Sequence, residues 1–213
     1  MLSATSESPL PTPARPGLPE SPADEQLLRA GAYGLLAALL RSPPDAALLG
    51  QLRAYDLPEQ RGEDNVATAL RLLGLAARDT NPEAVSDEFH ALFVGLGRGE
   101  LVPHGSWYLT GFLMEQPLSR LRDDLVALGF ERQPDVHEPE DHVAALCEVM
   151  TMLIQEGAAH ATQQAFYDQH LAPWLGRFFA DLEAAQSACL YRAVARFGSA
   201  YTELESRYFG MQL

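Results

Sequence analysis

The sequence predicts an all-α protein, built as a single helical domain of about nine to ten helices with a central hinge. After residue 22, apolar residues recur at helical spacing almost throughout. No strand-like alternation of useful length interrupts this pattern, and no internal repeat appears. The 213 residues, 47% of them hydrophobic, are enough to bury a sizeable core. We therefore expect one helical domain over residues 23–213.

The first 22 residues, MLSATSESPLPTPARPGLPESP, are rich in proline and serine, which predicts a disordered tail over residues 1–22. This segment has neither the basic region nor the apolar region of a secretory signal. No apolar run in the chain approaches the ~18 residues that a membrane span needs. We expect a cytoplasmic protein with no stable membrane insertion.

In the N-terminal half, a mostly apolar segment predicts a central helix that ends before Ser42 and the two prolines after it. Asn81 is a candidate N-cap, with Pro82 at the first helical position. The helices predicted here are 24–40, about 45–54, 63–78, and one that starts after Asn81.

In the C-terminal half, a glycine-rich turn over residues 95–105 precedes a helix that Ser106 is expected to cap. The polar connector 130–138 is the best hinge candidate. Further helices are predicted from Pro117 to Gly129, after Pro139, and at about 161–170, 173–185 and 187–208.

The charge pattern restricts the partners. The formal net charge is −14, from 29 acidic and 15 basic residues, and every basic residue is arginine. Nucleic acid would be repelled over most of such a surface, whereas a cationic partner would be attracted. We expect no nucleic-acid partner.

The stretch HEPEDH (137–142) has a structural explanation and several functional ones. Pro139 suits the first turn of a helix, where the macrodipole favours the acids Glu140 and Asp141. His142 is expected to be neutral at that position. A zinc site would need three or four converging ligands, and the spacing here matches no zinc pattern.

Catalysis would need a nucleophile, and Ser106 is the one attractive candidate, although a capping role explains it better. The glycines of the 95–105 turn lack both the dinucleotide fingerprint and a P-loop lysine. We expect no catalytic residue, no metal and no cofactor.

Three segments together resemble a known family. They are EFHALFVGLGRGELVPHGSWYL (88–109), EPEDHVAALCEVM (138–150) and FYDQHLAPW (166–174). In this order they are similar to the TorD/DmsD family of cytoplasmic redox-enzyme maturation chaperones. The resemblance covers roughly residues 25–210.

The resemblance implies an all-helical protein that is not an enzyme. Such chaperones bind the twin-arginine signal peptide and the apo form of a molybdopterin oxidoreductase. They hold this client until its molybdenum cofactor is inserted, and then release it for export. Members occur as monomers or as domain-swapped homodimers, and the implied hinge corresponds here to about residues 115–138.

Carried over position by position, the resemblance places the signal-peptide surface on nine residues of this chain. They are Leu92, Phe93, Pro103, His104, Ser106, Tyr108, Pro139, Asp141 and His142. His104 departs from the pattern, because some relatives carry an aromatic residue there.

An acidic rim is expected to receive the two arginines of the peptide, because the planar guanidinium group suits carboxylates. Its residues are Glu131, Asp135, Glu138 and Glu140, opposed in the local sequence only by Arg132. The alternatives are a helical adaptor that binds a folded partner and a metal-dependent enzyme.

Overall fold

The computed structural model of the chain describes residues 21–55, 65–95, 99–132 and 137–211. Within these ranges the chain forms ten α-helices and one π-helical turn, and no β-strand beyond a single isolated bridge. The all-α prediction is confirmed. In the part of the chain that the structure describes, no helix is long and apolar enough to cross a bilayer.

The helices follow the predicted order with ends shifted by a few residues. They are α1 (Pro22–Arg41), α2 (Ala46–Arg53), α3 (Asn65–Arg78), α4 (Pro82–Phe89), the π-turn (His90–Val94), α5 (Gly105–Thr110), α6 (Gln116–Ala127), α7 (Val143–Gln155), α8 (His160–His170), α9 (Leu175–Ala184) and α10 (Leu190–Gly210).

Helix starts follow the local sequence in two clear cases. The Ser21 side chain caps α1 by accepting a hydrogen bond from the backbone N–H of Asp24, at 3.2 Å. The predicted cap Asn81 accepts from Ala84 N–H at 3.0 Å, and Pro82 opens α4 as expected. Because α1 begins at Pro22, this helix starts two residues before the predicted range of 24–40. The expected disorder of residues 1–20 lies outside the described residues.

The core forms where α1 packs along α7 and where α10 packs against α3 and α9. A buried ion pair joins α1 to α10, because Arg29 donates from Nε and Nη2 to the two carboxylate oxygens of Glu205 at 2.7 and 2.8 Å. Tyr33 also donates to Glu205, at 3.0 Å, and the Arg29 guanidinium lies 4.0 Å above the ring of Tyr208. These contacts satisfy both buried charges.

A second buried carboxylate anchors the start of α10. Glu88 of α4 accepts hydrogen bonds from the backbone N–H groups of Cys189, Leu190 and Tyr191 at 2.6–3.1 Å. These groups have no acceptor within their own helix, so an anion at this helix end also interacts favourably with the macrodipole. Glu88 thereby fixes α10 to the segment that leads into the glycine-rich turn.

We expect Glu88→Ala to lower the free energy of unfolding by about 3 kcal/mol, because it leaves buried N–H groups without an acceptor. Urea unfolding followed by circular dichroism measures this. Glu203→Ala, at an exposed position of α10, is the control and should change stability by less than about 0.5 kcal/mol. Equal effects of the two substitutions would contradict the anchoring role.

Candidate functional site

Two segments that are far apart in sequence meet beside the start of α5. The backbone N–H of Val143 donates to the carbonyl of Pro103, and the N–H of Gly105 donates to the carbonyl of Asp141, both at 2.9 Å. The isolated antiparallel bridge of the structure joins His104 to His142. We name residues 103–106 and 141–143 the Asp141 junction. It unites the two central motifs of the sequence.

Asp141 stabilises this junction and does not cap α7, the helix that follows it in sequence. Its carboxylate Oδ2 accepts from the backbone N–H of Ser106 at 2.7 Å, and the residue is 3% exposed. The predicted helix start at Pro139 is therefore wrong, since α7 begins at Val143. Residues 139–142 instead form a turn in which His142 N–H donates to the carbonyl of Pro139 at 3.2 Å.

The predicted cap at Ser106 is also wrong. Ser106 lies inside α5, one residue after its start, and is fully buried. Its hydroxyl oxygen and Oδ1 of Asp141 are buried without a hydrogen-bond partner. Both residues line a small cavity of about 80 Å³ that also touches His170 and Trp174. That volume has room for about two water molecules.

His142 is the N-cap of α7. Its Nδ1 accepts a hydrogen bond from the backbone N–H of Ala144 at 3.1 Å, which requires an unprotonated Nδ1. Burial, followed by the nearby charges of His104 and Arg41, lowers the pKa of His142 to about 3. His142 is therefore neutral, as its place at the positive end of a helix predicts.

His104 connects the junction to the acidic rim. Its Nε2 lies 2.8 Å from Oε1 of Glu138, and its ring lies 5.1 Å from that of His142, edge to face. His104 is 7% exposed. The position that departs from the family pattern is thus partnered by a carboxylate and by a second imidazole.

A groove of about 660 Å³, which we name the α6–α7 groove, opens beside the turn at Pro139. Apolar side chains from α6, α7 and the segment after α6 line it: Leu125, Val126, Phe130, Val149 and Met152. Val126 and Met152 are 75% and 37% exposed, so a ligand lying here would cover apolar surface that now faces water.

The predicted acidic rim lies on this groove. Glu131, Glu138 and Glu140 all line it, together with Pro139 and with Glu148 of α7. Asp135 lies outside the described residues. The structure thus brings three rim acids and one predicted peptide-binding residue to the edge of an apolar groove.

Two of these acids, Glu140 and Glu148, already have arginine partners within the chain. Both Nε and Nη2 of Arg122 lie 2.9 Å from Oε2 of Glu140, and Nη1 of Arg132 lies 3.4 Å from Oε1. Arg41 pairs with Glu148. Burial would raise the pKa of Glu140, but the hydrogen bond from Arg122 and the charges of Arg122 and Arg132 together hold it below its ordinary value.

Three predicted site residues lie behind the junction and do not line the groove. Leu92 is fully buried, and its carbonyl accepts from Leu101 N–H at 2.8 Å. The ring of Phe93 packs against the rings of Phe89 and Tyr191. Together they support the loop that carries Pro103.

Tyr108, the third of these residues, stacks on Trp174 with ring centroids 5.4 Å apart, and Arg177 donates to its backbone carbonyl. Gly99 crosses directly above Leu92, where a Cβ would come within 2.4 Å of the Leu92 carbonyl oxygen. That close approach explains a glycine in the turn without any nucleotide.

Sequence reasoning missed the groove floor and two of the arginines at the rim. Val126 and Met152 are ordinary helix positions whose exposure depends on how α6 meets α7. Arg41 and Arg122 come from other helices, so the local sequence around Glu140 did not reveal them. In the part of the chain that the structure describes, no group of three or more histidines, cysteines or acids could hold a metal ion.

A sequence profile, related sequences and a solved structure all resemble this chain. The sequence profile described as "Nitrate reductase delta subunit" matches residues 59–180, more than half of the chain. The chaperone protein TorD of Vibrio cholerae serotype O1 (strain ATCC 39315 / El Tor Inaba N16961) is 29% identical over 137 residues, which are 59% of this chain and 62% of that protein. The match therefore spans less than two thirds of that relative.

The chaperone protein TorD of Psychrobacter sp. (strain PRwf-1) is 25% identical over 171 residues, covering 71% of this chain and 77% of that protein. A crystal structure from Archaeoglobus fulgidus, described as a candidate redox enzyme maturation protein, superposes with a TM-score of 0.56. It covers 83% of this chain and 94% of its own at 20% identity. That likeness shows the same fold.

We expect the stability of the protein to fall as the pH falls from 6.5 towards 3, because His142 takes up a proton there only in the unfolded chain. Its contribution is complete above pH 6.5, and within this window its slope reaches about 1.4 kcal/mol per pH unit. Urea unfolding at several pH values measures it. His142→Asn should retain the cap through its side-chain oxygen and lose this part of the slope. Identical slopes in the two proteins would contradict a neutral His142.

Proposed function

Because this chain belongs to the nitrate reductase delta subunit family, which includes the TorD chaperones, we propose that it is a maturation chaperone that binds a signal peptide. The client is the apo form of a molybdopterin oxidoreductase, bound through its twin-arginine signal peptide in the cytoplasm. The chaperone holds this client until cofactor insertion and then releases it for export. The mechanism makes or breaks no covalent bond.

The observation that carries this proposal is the α6–α7 groove, with its apolar floor and acidic rim. A twin-arginine signal peptide combines a short cationic head with an apolar run. The acidic rim of the groove is complementary to the cationic head, and the apolar floor is complementary to the apolar run. The predicted residue Pro139 and the acids Glu138 and Glu140 lie where the two features meet.

Burial of apolar surface supplies most of the affinity in this mechanism, at roughly 25 cal/mol per Å² removed from water. The acids contribute less, because exposed ion pairs are worth only about 0–1 kcal/mol each. They set the rate of approach and the choice of partner, in a chain whose net charge is −14. The cost of ordering a flexible peptide keeps the affinity moderate, which suits a client that must later leave.

The junction residues act by positioning the groove. Asp141 and Ser106 are buried, and the Asp141 carboxylate accepts a hydrogen bond from the backbone N–H of Ser106. His142 caps α7. Replacing Asp141 would therefore disturb the backbone around it. Substitutions at exposed groove residues test the proposed binding more cleanly.

A second candidate, an adaptor for a folded partner, is favoured by one observation. The connector between α5 and α6 exposes Phe112, Leu113 and Met114, which are 68%, 45% and 71% exposed. Met114 also has a positive φ of 60°, a conformation that costs about 1–2 kcal/mol in a residue other than glycine. An adaptor that docks through this connector would not respond to a free peptide with an Arg-Arg pair.

We expect Val126→Asn to weaken binding of a peptide with an Arg-Arg pair and an apolar run by about fivefold, because apolar contact on the groove floor is lost. Isothermal titration calorimetry measures the dissociation constant. Leu204→Asn, an exposed apolar position of α10 outside the groove, is the matched control and should bind like the unmodified protein.

Equal weakening by both substitutions would exclude the groove as the peptide site. A normal dissociation constant in Val126→Asn would do the same. If the unmodified protein does not bind the peptide at all, the adaptor alternative replaces signal-peptide binding.

A further inference from the structure

Two arginines of the chain meet one carboxylate at the edge of the groove. Arg122 comes from α6 and Arg132 follows that helix, while Glu140 belongs to the turn that leads into α7. Arg122 pairs with Oε2 of Glu140 at 2.9 Å, and Arg132 pairs with Oε1 at 3.4 Å. Arg132 also donates to the carbonyl of Glu138 at 3.2 Å. We name Arg122, Arg132 and Glu140 the Glu140 latch.

The latch connects two sides of the α6–α7 groove. All three of its residues line the groove, with Leu125 and Val126 on the α6 side and Pro139 on the other. The Glu140 side chain is 16% exposed, so its pairing is screened less than that of a fully exposed carboxylate. The guanidinium groups of the two arginines approach both oxygens of the same carboxylate, as a ligand with paired arginines would.

A cationic ligand therefore meets a rim that the chain's own arginines neutralise in part. Glu138 lies against His104, Glu148 pairs with Arg41, and Glu140 has its two arginines. Among the groove acids that the structure describes, Glu140 and Glu148 have arginine partners, whereas the carboxylates of Glu131 and Glu138 have none. The arginines of a peptide gain a carboxylate at Glu140 only by displacing arginines of the chaperone.

We infer that the Glu140 latch is an internal competitor of the client, which the two guanidinium groups of the bound peptide replace. This inference rests on the proposed function. The exchange trades arginine–carboxylate pairs for similar pairs, so it changes little net interaction energy. Its effect is to lower the affinity for the peptide below what the groove would otherwise give.

The exchange also changes how α6 is held. When the peptide displaces Arg122 from Glu140, α6 keeps its contacts with α8. The carboxylate of Asp124 in α6 lies 2.8 Å from His170 and 2.9 Å from Gln169 of α8. Peptide binding therefore loosens the C-terminal part of α6 and residues 130–132 while the helix stays attached. Faster amide hydrogen exchange in these residues would report an occupied groove.

The test compares two arginines of α6. Arg122→Gln removes one arm of the latch, whereas Arg120→Gln makes the same change of charge two residues away. The Arg120 guanidinium bonds to Gln116 and not to Glu140. Calorimetry with a peptide bearing an Arg-Arg pair and an apolar run gives the dissociation constants.

We expect Arg122→Gln to bind the peptide about fivefold tighter, as expected for loss of one competing ion pair, and Arg120→Gln to bind within about twofold of the unmodified protein. Glu140→Gln should bind within about twofold of the unmodified protein, because it removes the internal pair and the pair with the peptide together. Adding Arg122→Gln to Glu140→Gln should bring no further gain, because the two residues act through one interaction. Thermal unfolding by circular dichroism establishes that each variant is folded.

Three results would overturn the latch. Equal tightening in Arg120→Gln and Arg122→Gln would show an effect of net charge alone. Weaker binding by Arg122→Gln would make Arg122 a direct contact of the peptide. An unchanged dissociation constant in Arg122→Gln would exclude the latch as a competitor, although signal-peptide binding itself would stand. No binding by the unmodified protein would instead end the proposed function, and the latch with it.

Discussion

Asp141 binds the start of α5 with both its carboxylate and its backbone carbonyl, and the position of the whole site depends on this contact. The carboxylate accepts from Ser106 N–H at 2.7 Å, and the carbonyl accepts from Gly105 N–H at 2.9 Å. Because the next residue, His142, caps α7, one short turn fixes the starts of two helices. That turn also carries Pro139 and Glu140 to the edge of the groove. Residues of the two central motifs therefore act mainly by holding this geometry.

The groove follows from that arrangement. With α7 started at Val143 and the turn held against α5, the side chains of Val149 and Met152 face the end of α6 across an open space. Apolar surface left exposed in this way has a cost in water, which a ligand with an apolar segment would recover. Two of the acids at its edge, Glu140 and Glu148, are paired with the chain's own arginines. In the mechanism we propose, affinity for a cationic, apolar peptide would depend on an exchange of partners as well as on burial.

The fold could be predicted from the sequence because helical periodicity, caps such as Asn81 and breakers such as Pro43 act locally. The site could be predicted only in part. The residues of both motifs do meet, but the buried positions of Leu92, Ser106 and Asp141 depend on contacts across the fold. Asp141 was expected to favour the start of the helix that follows it, yet its carboxylate accepts from the N–H of Ser106 in α5. The pairing of Arg122 with Glu140, 18 residues apart, likewise requires three-dimensional contacts that no local pattern specifies.

The most direct test of the account is to locate the bound peptide by methyl nuclear magnetic resonance. The methyl groups of Val126, Val149 and Met152 report the groove, while those of Leu27 and Leu28 report an exposed face of α1. A titrated peptide with an Arg-Arg pair and an apolar run should shift the groove signals and leave the α1 signals unchanged. Shifts confined to α1 or to Met114 of the α5–α6 connector, with the groove signals unmoved, would contradict the account.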